Sequence, residues 1–171
     1  MVGNGDLIKK VRVPKSIFVM AAVMSNLINL LLSFIPLILI AFAVGQPFYP
    51  TWAYLPVPIL ALLIFTLGAS FFFATANVFY RDVAHILQVL LQVWFYVTPI
   101  MYKIELFPAK WRWLFKLNPV IFVINGFRLS VYDGMLPRLQ SVGASFFCGF
   151  VALLIGYSIF RRYQDRFVFY I

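Results

Sequence analysis

Charge is what this sequence has least of. Only 11% of its 171 residues are charged, and from Ser16 to Tyr80 it runs 65 residues without one Asp, Glu, Lys or Arg. A water-soluble domain carries about 25% charged residues, so the polar surface needed to cover a soluble globule is absent. A bilayer core of roughly 30 Å is crossed by about 20 helical residues, and one straight helix through the whole tract would be about three times too long. The tract must therefore fold back inside an apolar solvent. Two more charge-free stretches follow, Ile86–Tyr102 and Leu139–Phe160.

Other scarcities exclude whole classes of chemistry. Cys148 is the single cysteine, which rules out an intrachain disulfide, and His85 is the single histidine. Together they leave almost nothing for a metal site of the usual His/Cys kind. No G-x-x-x-x-G-K-[ST] loop occurs, so any ATP used must be hydrolysed on another chain. The first apolar run is too long, and lacks the small-residue pattern, for a cleavable signal peptide. The net charge of +9 is spread over too few residues for a nucleic-acid footprint; it marks loops held at anionic lipid or at a cytosolic partner.

What is present is apolar and aromatic: 64% hydrophobic residues, 20 Phe, 9 Tyr and 4 Trp. The expected fold is an all-α integral membrane protein with one domain over residues 1–171 and about four transmembrane helices, near 17–44, 57–79, 83–102 and 139–160. Pro36 should kink the first. Gly45–Pro50 reads as a turn, and Pro56 and Pro58 suit the first turn of the second span. Region 103–138 holds Trp111, Trp113, three prolines and the apolar run Val120–Val131, broken by Asn125 and Arg128. That run is too short to cross and too apolar for an ordinary loop, so a re-entrant or interfacial helix is expected, its backbone shielded by protein or water. With both termini cytoplasmic, eight of the 14 basic residues lie inside and six outside, a small bias in the direction the positive-inside rule prefers.

Three segments, in order and spacing, resemble the membrane subunits of ABC-2 type exporters, in the branch that exports polysaccharide and polyol-phosphate (O-antigen, capsule, teichoic acid). They are Asp6-Leu-Ile-Lys-Lys-Val-Arg-Val-Pro14, Asn77-Val-Phe-Tyr-Arg-Asp-Val83 continuing through Trp94-Phe-Tyr-Val-Thr-Pro-Ile-Met-Tyr102, and Leu117-Asn-Pro-Val120 with Asn125-Gly-Phe-Arg128. Members of that family have an amphipathic segment and two spans ahead of the Leu-Ile-Lys-Lys-like motif, which here starts at Leu7. The chain is therefore expected to correspond to the last two-thirds of such a subunit. Many members carry an acidic residue where Asn125 stands.

The resemblance implies a permease subunit in the cell membrane that pairs with a second permease copy and an ATP-binding subunit, uses no cofactor of its own, and moves a lipid-linked glycan. ATP-driven closure would reach the spans through short cytosolic segments, here carrying Lys9, Lys10, Arg12 and Pro14, and Asn77, Arg81 and Asp82. From residue types alone the same basic cluster also fits anchoring on lipid headgroups, and Asp82 fits a helix cap. An Asp82/His85 catalytic pair has no second acid or nucleophile to support it.

Gln88, Gln92 and Tyr96 share one helical face at i, i+4, i+8, with Trp94, Thr98 and Tyr102 nearby. Amides bond sugar hydroxyls and aromatics stack on sugar C–H faces, so the stripe fits a glycan pathway; it equally fits hydrogen bonds between helices. Ser25, Asn26, Asn29 and Ser33 form a second polar face of the same kind. Arg128, alone in an apolar run, is expected at the pathway, with Asp133 or Glu105 as its partner. Ala144, Cys148, Ala152 and Gly156 read as a small-residue packing ridge, and Trp52, Tyr54, Trp111 and Trp113 as interfacial anchors. Competing readings are an ABC-2 exporter of a small hydrophobic compound, a membrane-embedded envelope-synthesis enzyme, and a non-catalytic scaffold.

Overall fold

The computed structural model describes residues 14–80, 82–100, 102, 110 and 118–169. Among them the regular structure is helical: α1 (Ser16–Leu32), α2 (Phe34–Val44), α3 (Pro56–Phe79), α4 (Val83–Val97), α5 (Pro119–Val131) and α6 (Leu139–Tyr163), with short 3-10 turns at Pro50–Tyr54 and Gln164–Phe169. Ser16–Val44, Pro50–Phe79 and Leu139–Phe167 are long and apolar enough to cross a membrane. Their outward side chains are apolar: Phe42 and Val44 are each 77% exposed, and Phe147 70%. Water would penalise that surface heavily, whereas lipid does not.

The first span is interrupted at Ser33 rather than at Pro36. Pro36 has no N–H to give the Leu32 carbonyl and its ring crowds that carbonyl, so the disturbance falls one turn earlier. Ser33 closes α1 by donating its N–H to the Asn29 and Leu30 carbonyls and its Oγ to Asn29 at 2.8 Å. At the far end, Gly45 turns left-handed at φ 75°. Its N–H reaches Phe42 and that of Gln46 reaches Ala41, at 3.1 and 2.9 Å, the paired bonds of a glycine helix stop. Pro56 then opens α3 at a position whose N–H needs no partner.

The pair α3–α6 forms the spine of the molecule. A Cβ added to Gly68 would fall within the backbone of Ala152 and Leu153, and one added to Gly156 within the backbone of Gly68. One added to Gly149 would lie 3.3 Å from the Ala61 carbonyl oxygen. The buried row on α6 is Ser145, Gly149, Gly156 and Phe160. Ala144 and Cys148 are half-buried beside it. A row repeating strictly every four residues drifts around a helix of 3.6 residues per turn, so the contact steps by three once, through Ala152.

At the Lys15 end, Val19, Phe71, Val78, Phe160 and Phe167 form one apolar cluster. At the Gly45 end, α5 packs against the first halves of α3 and α6. The helix expected over 83–102 is shorter than the sequence indicates. It closes at Val97, because Pro99 forces Thr98 out of helical geometry, to φ −79° and ψ 124°. Fifteen residues make α4 about 22 Å long, short of a full crossing.

Candidate functional site

The segments singled out from the sequence converge on the Lys15 end. Pro14 is exposed just before α1, Asn77 lies in the last turn of α3, and Asp82 stands at the start of α4. Lys9, Lys10, Arg12 and Arg81 lie outside the described residues. Asp82 forms no side-chain cap on α4. Its φ/ψ is already helical, so the carboxylate is not swung over the first N–H groups as a capping residue's is; only its backbone carbonyl takes part, accepting from Ile86 at 3.0 Å.

Between α1, α3 and the start of α4 opens a cleft of about 470 Å³, whose polar lining is Asn26, Thr66, Ser70 and Asn77. A second hollow of about 210 Å³ continues it along α1 and α3, sharing Val23, Asn26 and Thr66. Asn77 Oδ1 is buried without a hydrogen-bond partner. Ser25, Asn26, Asn29 and Ser33 are exposed along α1, and Asn26 Nδ2 donates only within its own helix, to Ala22 at 2.9 Å.

The face carrying Gln88, Gln92 and Tyr96 is exposed throughout, as is Trp94. Among the described residues neither glutamine has a hydrogen-bond partner. The C-terminal end of α4, in contrast, is tied down. Thr98 donates its N–H and Oγ1 to the Trp94 carbonyl at 2.9 and 2.7 Å. Tyr102 donates its hydroxyl to the Tyr96 and Val97 carbonyls at 2.8 and 3.2 Å. Asn118 Nδ2 reaches Thr98 Oγ1 at 2.8 Å while its Oδ1 accepts from Val120 at 3.0 Å, capping α5.

Arg128 completes this knot. It donates to the Pro99 carbonyl at 2.9 Å and to the Ile100 carbonyl, not to Asp133, which is exposed; Glu105 lies outside the described residues. A guanidinium offers five donors in a rigid fork, and the Pro99 and Ile100 carbonyls, just past the end of α4, accept from it. The arrangement therefore fits these carbonyls better than a carboxylate two residues beyond the end of α5.

The other end of α5 is closed as fully. Its last four carbonyls accept from Tyr132 N, Met135 N, Thr51 Oγ1 and Gln46 Nε2, at 2.9, 3.0, 2.8 and 3.4 Å. A helix end packed away from water must have such partners, because its last carbonyls have none within the helix. Asn118 stands in the Leu117–Val120 motif with no role assigned to it from the sequence, and neither Thr51 nor Gln46 is marked by any motif. Asn before Pro is a helix-start signal that identifies the first; the other two act across 79 and 85 residues and leave no local pattern. Trp52 Nε1 is buried without a partner, while Trp111 and Trp113 lie outside the described residues. Among the described residues no group of three His, Cys, Asp or Glu side chains gathers at one point.

A family profile described as "ABC-2 type transporter" matches residues 9–132. The chain is 29% identical over 168 residues to the "O-antigen export system permease protein RfbA" of Klebsiella pneumoniae, covering 97% of this chain and 64% of that protein. It is 31% identical over 166 residues to a protein of the same description from Myxococcus xanthus, covering 95% of this chain and 63% of that protein. The chain thus spans just under two thirds of the length of the curated relatives it matches.

Proposed function

Because this chain belongs to the ABC-2 type transporter family, we propose that it forms the membrane-embedded permease part of an ATP-driven exporter of lipid-linked polysaccharide or polyol-phosphate. The observation that carries this reading is the alignment of 95–97% of the chain with proteins described as O-antigen export permeases. A separate ATP-binding subunit docks at the Lys15 end, which faces the cytoplasm, through Lys9, Lys10, Arg12, Pro14, Asn77, Arg81 and Asp82. The protein works as a pair with a second permease copy in the plasma membrane. Gln88, Gln92, Trp94, Tyr96, Tyr102 and Arg128 lie along the path of the glycan. Support comes from the exposed amide and aromatic face of α4, which can bond hydroxyls and stack on sugar rings without fixed charge.

Docking is tested by reversing the charges at Lys9, Lys10 and Arg12 together and measuring recovery of the ATP-binding subunit on co-purification. Opposite charges steer and hold such an interface, so recovery is expected to fall about tenfold or more at low salt. Undiminished recovery overturns the docking assignment.

A further inference from the structure

Immediately after Pro14, Lys15 makes a contact that spans almost the whole chain. Its Nζ donates to the carbonyl of Gln164, the residue that ends α6. It also sits 5.6 Å from the centroid of the Phe167 ring. Carbonyls at a helix C-terminus carry the negative end of the helix dipole, and a lysine there is favourable. The ring that receives the cation is fixed: Phe167 is 0% exposed and packs at 5.4 Å from Phe160 of α6 and 6.1 Å from Phe79 of α3. On the other side of Lys15, the Pro14 carbonyl accepts the Ile17 N–H at 3.0 Å, which makes residues 14–17 one rigid turn.

We infer that Lys15 is a strut that fastens the start of α1 to the α3–α6 spine, so that a displacement applied ahead of Pro14 moves the spine instead of bending a linker. Lys15 is then a positioning residue for the coupling of ATP hydrolysis to export, an inference that rests on the function proposed above. It needs a cation long enough to reach the carbonyl and flat enough in its approach to cover the ring; arginine meets both demands and methionine meets neither.

The test uses the permease with its ATP-binding subunit in vesicles, comparing wild type, Lys15→Met and Lys15→Arg. Export per ATP hydrolysed is expected to fall about tenfold in Lys15→Met, the worth of a charge-assisted hydrogen bond, and to recover in Lys15→Arg. In parallel, trypsin should cleave after the exposed Arg166 about tenfold faster in Lys15→Met, because the 3-10 turn opens more often. Equal cleavage in all three proteins overturns the strut itself. Faster cleavage with unchanged export per ATP overturns its role in coupling. A wild-type complex that exports nothing with ATP counts against the proposed function, and the trypsin comparison still decides the strut.

Discussion

Gly68 and Gly156 stand where two helix backbones touch, so a methyl group at either acts as a wedge between the spans. Overpacking a closed contact costs about 1–3 kcal/mol, and backbone atoms cannot step aside as a side chain can. Gly156→Ala is therefore expected to lower stability by about 3 kcal/mol, at the top of that range. Gly143 lies on the same helix with open space around it. Gly143→Ala should gain about 0.5–1 kcal/mol through helix propensity. Denaturant titration of the purified protein in mixed micelles, followed by tryptophan fluorescence, separates the two; a similar loss from both changes would contradict the close approach. The sequence makes the small residues of α6 visible, but the choice between the row through Ala144 and Cys148 and the row through Ser145 and Gly149 depends on where α3 crosses. Only Gly68, on the partner helix, decides that.

On the scale of elements, helix ends carry more information than helix middles. The apolar run to Tyr102 reads as continuous because Thr98–Tyr102 contains no charge, yet Pro99 alone ends α4. Pro36 shows the same physics, its effect landing a turn upstream at Ser33. Both boundaries follow from proline's missing donor and from the crowding around its ring, and are legible once those are applied residue by residue. The long-range partners at this break are not legible, because Arg128, which donates to the Pro99 and Ile100 carbonyls, and Asn118, which donates to Thr98 Oγ1, arrive from a distant stretch. Arg128→Met leaves the part-buried Pro99 carbonyl and the exposed Ile100 carbonyl without their donor; only the first is shielded, so the cost is about 1 kcal/mol. The melting midpoint in detergent is expected to drop by several degrees, with Arg128→Lys recovering only part of it, since an ammonium lacks the planar fork. Full recovery by lysine would mean that charge, not fork geometry, is what this site uses.

For the whole molecule, charge-free length is the strongest signal: of the four spans it indicates, three are helices long and apolar enough to cross a membrane. It says little of α4, whose exposed face gives Gln88 and Gln92 no partner among the described residues. If that face lines the glycan path, Gln88→Leu with Gln92→Leu should reduce export about tenfold, the combined worth of two lost hydrogen bonds, while leaving membrane insertion and recovered protein unchanged. Equal export by the double variant would reassign the stripe to packing. The closure of α5 by Gln46 and Thr51 has a consequence for swapping parts between homologous permeases. The loop joining the first two crossings and the end of the short helix make up a single inheritable module. A chimera that imports one without the other leaves two peptide oxygens without their donors, so grafts between such chains need to carry both pieces at once.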